Sequence, residues 1–151
     1  MNAADRIHEL VRANLSSNHK VDGVHFVDEI LLVAAEVGEI KCSLSAGAEG
    51  LCFQTPEQPA WEVVLGRANS KLRMICARLA VLCANGATPD LYGGEGSIAV
   101  DMPADSENGE KSTNRILLQL QFDNRPGNVW FTIHGEKRVA RVVYDAEQVR
   151  V

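Results

Sequence analysis

The sequence predicts an α+β domain: an antiparallel sheet of about five or six strands, a central buried helix, and N-terminal helices packed on one face of the sheet. Three observations predict it. Residues 70–85 carry the cleanest helical period in the chain, with Leu72, Ile75, Cys76, Leu79, Leu82 and Cys83 on one stripe. Residues 40–44 and 118–122 instead alternate apolar and polar side chains at the period of a strand, and 115–122 and 129–134 read as the best strands. Short segments of turn chemistry, 46–50 and 123–128, join consecutive strands, so neighbours in sequence pair antiparallel. Helices that stand apart from such hairpins place the chain in the α+β class.

Residues 2–15 read as a first helix, with Ile7, Leu10, Val11 and Asn14 on one face. Asp5 near its start and Arg12 in its last turn suit the helix dipole. Residues 16–23 form a polar connector. Residues 24–37 admit two readings, a short strand over 24–27 or a helix. The helix is favoured from about Val27, since Val27, Ile30, Leu31, Ala34 and Ala35 share a face and Gly38 ends it. A hairpin follows, 40–44 returning as 51–54. Pro56 and Pro59 are expected to stop regular pairing, and 60–65 forms a third strand around Trp61.

The central helix is expected to take its N-cap from Asn69 or Ser70 and to end at Asn85-Gly86, with Pro89 preventing resumption. Its apolar stripe is wide enough for a helix covered on most of its circumference. Residues 93–96, Gly-Gly-Glu-Gly, read as a turn before a short strand, 97–101. Residues 103–114 carry no large apolar side chain and are expected as an exposed loop. The hairpin 115–122/129–134 supplies the best strands. Leu118, Leu120 and Phe122 lie on one face and Gln119 and Gln121 on the other, so one sheet face is covered and one is partly wet. Residues 137–144 suit a last strand, and the tail a short helix or no regular structure. No repeat or linker interrupts the chain, and 151 residues suit one domain, 1–151. The order of elements, helix then strands then helix then strands, resembles that of small acidic secretion chaperones. The resemblance rests on element order alone, with no shared motif, and implies a protein-binding role.

The formal charge is −5, unevenly spread: residues 1–110 hold 8 Lys+Arg against 16 Asp+Glu, and residues 111–151 hold 7 against 4. An acidic chain without a long basic run is a poor nucleic-acid binder. No apolar run reaches transmembrane length, and Asp5, Glu9 and Arg12 interrupt any leader-like pattern at the start. No membrane or nucleic-acid partner is therefore expected. Cys42, Cys52, Cys76 and Cys83 form no CxxC pair, and two of them lie on the helical stripe as buried thiols. Cys42 and Cys52 fall on adjacent strands, where a cross-strand disulfide is conceivable. Without a secretory leader, the expectation is reduced thiols and a cytoplasmic setting.

The chemistry is mostly negative evidence. His8, His19, His25 and His134 show neither HxH nor HExxH spacing. His19 and His25 with Asp22 are the best approach to a metal set, but surface histidines explain them more simply, so no metal and no cofactor are expected. The 93–96 glycines lack the GxxxxGK[ST] frame and a following helix, so no phosphate cradle forms there. Asp28, Glu29, Glu36 and Glu39 read as a solvated helix face. Asp101, Asp105, Glu107 and Glu110 lack the order of a calcium loop. No GxSxG elbow or dinucleotide fingerprint appears. These absences argue against an enzyme without excluding one.

What remains is an interaction surface. Trp130 and Phe131 are adjacent on one strand and must point to opposite sheet faces, so one ring enters the core and the other meets a partner. Trp61, Arg115 and Arg125 join them as interface candidates, aromatic and arginine side chains being favoured at protein interfaces. The simpler reading of the outer ring is that Trp61 or the tail covers it. The expectation is a non-catalytic protein-binding, adaptor or chaperone-like domain acting as a homodimer through a sheet face or edge. The alternative is a small enzyme or small-molecule-binding protein with a pocket between sheet and helices, near Glu36, His25 or His134. Catalytic residues are not identifiable.

Overall fold

A computed structural model describes residues 2–17, 20–104 and 111–144; side chains of residues 104, 111–113 and 137–144 are left out of the description. The fold is α+β, with three helices and a six-stranded antiparallel sheet among these residues. Helices α1 (Ala3–Asn14) and α2 (Gly23–Val37) precede strands β1 (Glu39–Leu44), β2 (Gly50–Thr55) and β3 (Gln58–Val64). Helix α3 (Ala68–Ala84) leads to β4 (Gly93–Ala104), β5 (Lys111–Arg125) and β6 (Asn128–Tyr144). The sheet order is β3-β2-β1-β6-β5-β4. Two three-stranded meanders thus meet at β1 and β6, where Cys42 pairs with Phe131 and Ile40 with Ile133.

Local chemistry sets each helix. Asn2 caps α1 by accepting from the Asp5 amide at 2.9 Å, and Asp22 caps α2 by accepting from the His25 amide at 2.9 Å. That second cap is why α2 starts at Gly23, four residues before the expected Val27, and why no strand forms over 24–27. Gly38, at φ +97°, ends α2. The two helices run antiparallel: Arg6 pairs with Glu36 at one end, and at the other the His25 ring bonds the Asn14 side chain at 2.8 Å.

Helices α2 and α3 cover one face of the sheet. Helix α2 rests on β1, β4, β5 and β6, and α3 crosses from β2 to β4. Leu72, Ile75, Cys76 and Leu79 of α3 are fully buried, as are Phe26, Ile30 and Ala34 of α2. They meet Ile40, Leu51, Phe53, Leu118, Phe131 and Ile133, also fully buried. The outer side of α3 is less covered than its composition suggested, Val81 being 46% exposed. Its N-cap is not Asn69 or Ser70 but Arg67, in the left-handed region at φ +55° and without a side-chain cap bond.

Two strands are longer than the sequence suggested. Residues 93–96 are not a turn but the start of β4, Gly94 pairing with Phe122 and Gly96 with Leu120. Both glycines face the helices. A Cβ at Gly96 would stand 2.9 Å from Cα and Cβ of Cys83, so α3 presses on bare backbone there. The expected loop over 103–114 is paired at both ends, Pro103 with Thr113 and Ala104 with Ser112; residues 105–110 lie outside the described residues. Residues 129–134 and 137–144 belong to one strand, β6. A register irregularity opposite Arg115–Leu117 carries it past Gly135, whose amide bonds the Gly38 carbonyl at 2.7 Å. The expected tail beyond Tyr144 lies outside the described residues. Pro59 falls inside β3 rather than before it, tolerated because β3 is a sheet edge. No helix is long and apolar enough to cross a membrane among the described residues.

Candidate functional site

Among the described residues, the helices leave the second face of the sheet open. Strand alternation assigns that face without ambiguity: if Phe131, Ile133 and Ile40 enter the core, then Trp130, Thr132, His134, Lys41 and Ser43 point the other way. One rung runs Gly93, Asp123, Trp130, Ser43, Cys52, Glu62 across all six strands. The next runs Glu95, Gln121, Thr132, Lys41, Gln54. Trp130 is the one large aromatic of the first rung, and its neighbours toward β2 are small.

That difference in size shapes the surface. A shallow depression of about 240 Å3 lies beside Trp130, walled by Ser43, Cys52, Gln54, Ala60 and Thr132. A second, of about 460 Å3, adjoins it among Glu39, Lys41, Gln119, Gln121 and His134. Here Glu39 stands 3.8 Å from the Lys41 ammonium and 3.5 Å from the His134 ring, counting as an ion pair with the latter only when the ring is protonated. These groups are wet and screened, so they add little stability to the fold.

Asp123, opposite Trp130, is held by its own turn. Its carboxylate accepts from Arg125 Nε at 3.1 Å, from Arg125 Nη2 at 2.6 Å and from Asn128 Nδ2 at 3.0 Å. The Arg125 hydrogen bonds, side chain first and backbone amide second, pull its pKa down to about 2. Arg125 is raised by the same contact.

The five interface candidates do not form one patch. Trp130 is on the open face and partly buried; Phe131, its neighbour, is fully buried among the helices. Trp61 lies on the helix side, stacked on Phe53 with centroids 6.0 Å apart, so it does not cover Trp130. Its indole N–H is buried without an acceptor among the described residues. Arg115 sits toward the far end of β5, where its Nε bonds Asp101 at 3.0 Å. Arg125 belongs to the β5–β6 turn and reaches the Trp130 rung through Asp123. The small and polar neighbours of Trp130, namely Ser43, Cys52, Ala60 and Thr132, were not singled out from the sequence. Strand alternation puts them on one side, but only the pairing register puts them beside the indole.

The conceivable Cys42–Cys52 bridge is excluded by the pleat. Cys42 pairs with Phe53 and faces the core, whereas Cys52 pairs with Ser43 and faces out; all four cysteines are free thiols. Burial raises the Cys42 thiol well above its ordinary value, and burial followed by the Asp123 charge pushes Cys76 up to about 12. Neither is an activated nucleophile. His25, Glu36 and His134 do not converge: the first two lie at opposite ends of α2, the third on the open sheet face. No group of three His, Cys, Asp or Glu side chains is arranged to hold a metal among the described residues.

No protein-family model matches the chain, and no curated protein is significantly similar to it in sequence.

Proposed function

We propose that this chain is a non-catalytic protein-binding domain of adaptor or chaperone-like type, acting as a homodimer through the open face of its sheet. One observation carries the reading: Trp130 stands on the sheet face opposite the helices, in a rung of small and polar side chains, and among the described residues no helix lies above it. An indole in that position has an apolar body to bury and a polar edge to satisfy, the combination that makes tryptophan prominent at interfaces.

Size supports a second copy as the occupant. Six strands about 4.8 Å apart span roughly 24 Å, and strands of the observed lengths, 6 to 17 residues, run about 20–55 Å. Such a face is comparable with the roughly 800 Å2 that each partner contributes to a stable interface. A two-fold contact would set Lys41 and His134 of one copy against Glu39, Glu62 or Glu95 of the other. The acidic balance supports a protein partner over nucleic acid, and four free thiols support a reducing, cytoplasmic setting. The rival, a small enzyme or small-molecule binder with its pocket between sheet and helices, draws no support from that layer, which Phe26, Ile30, Leu72 and Leu79 fill.

Sedimentation equilibrium tests the reading. The wild type is expected to associate reversibly to twice its monomer mass. Trp130→Thr, which retains a good strand former, is expected to weaken association at least about a hundredfold, the loss typical of a central interface aromatic. Gln121→Arg, at an exposed position on the same face, should weaken it with the fold untouched. A wild type that stays monomeric, or association indifferent to both changes, refutes the homodimer.

A further inference from the structure

The two edges of the sheet are unlike. Strand β3 is seven residues long, carries Pro59 and has a register irregularity against β2. Short length, proline and irregular pairing are devices that keep an edge from recruiting another strand. Strand β4, at the opposite edge, runs twelve residues with no lysine or arginine and no proline before Pro103. It pairs with β5 without a bulge from Gly93–Asp123 to Ala104–Ser112.

The ladder fixes which backbone groups of β4 are left over. The Asn124 amide bonds the Tyr92 carbonyl at 2.9 Å, so even-numbered residues turn their backbone groups toward β5. The amides and carbonyls of Glu95, Ser97, Ala99 and Asp101 therefore point outward, and no backbone among the described residues pairs with them. Beside this edge, between the last turn of α3 and the start of β4, lies a hollow of about 190 Å3. Ala80, Cys83, Ala84 and Phe122 make it apolar; Asp90 and Glu95 also line it, and no basic residue does. On the open face, the Glu95 carboxylate accepts from the Gln121 amide at 3.4 Å. Further along, Ile98 and Val100 lie half-buried on the helix side.

We propose that the outer edge of β4 docks an extended basic segment of another protein, added antiparallel as one more strand. Its main chain takes up the outward amides and carbonyls, and its alternate side chains read the two faces. Consecutive lysines opposite Gly94 and Glu95 point to opposite faces: one stem enters the hollow toward Asp90, and the other ammonium meets Glu95. Apolar residues opposite Ile98 and Val100 extend the covered face. Charge selects this occupant over a second copy of β4, which would bring Glu95 and Asp101 to an edge that already carries them. The proposal rests on the protein-binding reading but not on the homodimer, which uses the face and Trp130.

Fluorescence anisotropy of a labelled peptide, acetyl-Thr-Val-Thr-Val-Thr-Ala-Lys-Lys-amide, titrated with the full chain reads the docking. Saturable binding is expected. Glutamate in place of both lysines, or proline in place of the last threonine, is expected to raise Kd about tenfold or more. Ser97→Pro removes one outward amide and leaves the β5 ladder whole, since proline is tolerated where an edge amide faces solvent; it is expected to weaken binding by a similar factor. In the unsubstituted protein, hydrogen exchange at Glu95, Ser97, Ala99 and Asp101 is expected to slow when peptide is added, with Ile98 and Val100 unchanged, a readout that needs no variant. Trp130→Thr is expected to bind the peptide as the wild type does, so loss of the homodimer and loss of the edge site are read separately. No saturable binding, or binding indifferent to the lysine and proline changes, overturns the proposal. Protection of the same four amides that grows with protein concentration in the absence of peptide also overturns it, by placing a second copy at the edge.

Discussion

At the scale of single residues, environment rather than type decides what the titratable groups do. The four cysteines are alike in sequence, but the pleat and the helix stripe divide them. Cys42 and Cys76 are buried with raised thiol pKa values, Cys83 is partly buried and raised by burial, and Cys52 looks out beside Trp130. Because the thiolate is the reactive form, iodoacetamide at neutral pH is expected to modify Cys52 first and to leave Cys42 and Cys76 intact until denaturant is added. Mass spectrometry of a time course reads this directly, and early labelling of Cys42 would show that the core opens readily. Asp123 makes the second test. Its folded pKa of about 2 lies below its ordinary value of 3.8. The stability it contributes is therefore fully present above about pH 4 and is lost as pH falls through 2. A carboxyl-carbon titration by NMR should find its midpoint near 2; a midpoint near 3.8 would mean that Arg125 does not hold it.

At the scale of elements, the chain's helices were legible because their signals are local. The stripe from Leu72 to Cys83 needs only the 3.6-residue period, and Asp5 and Arg12 mark α1 by their positions alone. Element ends were less legible wherever a distant contact sets them. The start of α2 depends on the Asp22 side chain reaching the His25 amide. Gly93 to Gly96 look like a turn in one dimension, and they are strand because they pair with Asp123 to Leu120, with α3 pressing too closely for a side chain at Gly96. Gly96→Ala is accordingly expected to destabilise the fold by about 1–3 kcal/mol through overpacking against Cys83. Gly66→Ala, where an added Cβ meets nothing within 4 Å, should be close to neutral. Urea midpoints for the two variants make the comparison, and equal midpoints would show that α3 yields to the extra methyl. Asn124 closes the same end of the sheet, its side-chain amide bonding the Arg73 and Leu91 carbonyls at 3.3 and 3.1 Å. No periodicity announces that role, since the partners are 51 and 33 residues away.

At the scale of the whole molecule, the described residues form a six-stranded sheet with helices on one side and leave its other face uncovered. If a second copy takes it, the melting temperature of the wild type must rise with protein concentration, as mass action requires, and that of Trp130→Thr must not. The sequence by itself determined the class, the central helix, the hairpin order and the opposite facing of Trp130 and Phe131, because all of these follow from periods of 3.6 and 2 and from turn chemistry along the chain. Only the tertiary structure decided that Phe131 is the inward ring, that Trp61 lies on the helix side, and that small side chains surround the outer indole. It also decided that β1 and β6 join the two meanders. Those facts depend on which segments distant in sequence come to lie side by side, and no pattern within one segment encodes its neighbour across the sheet.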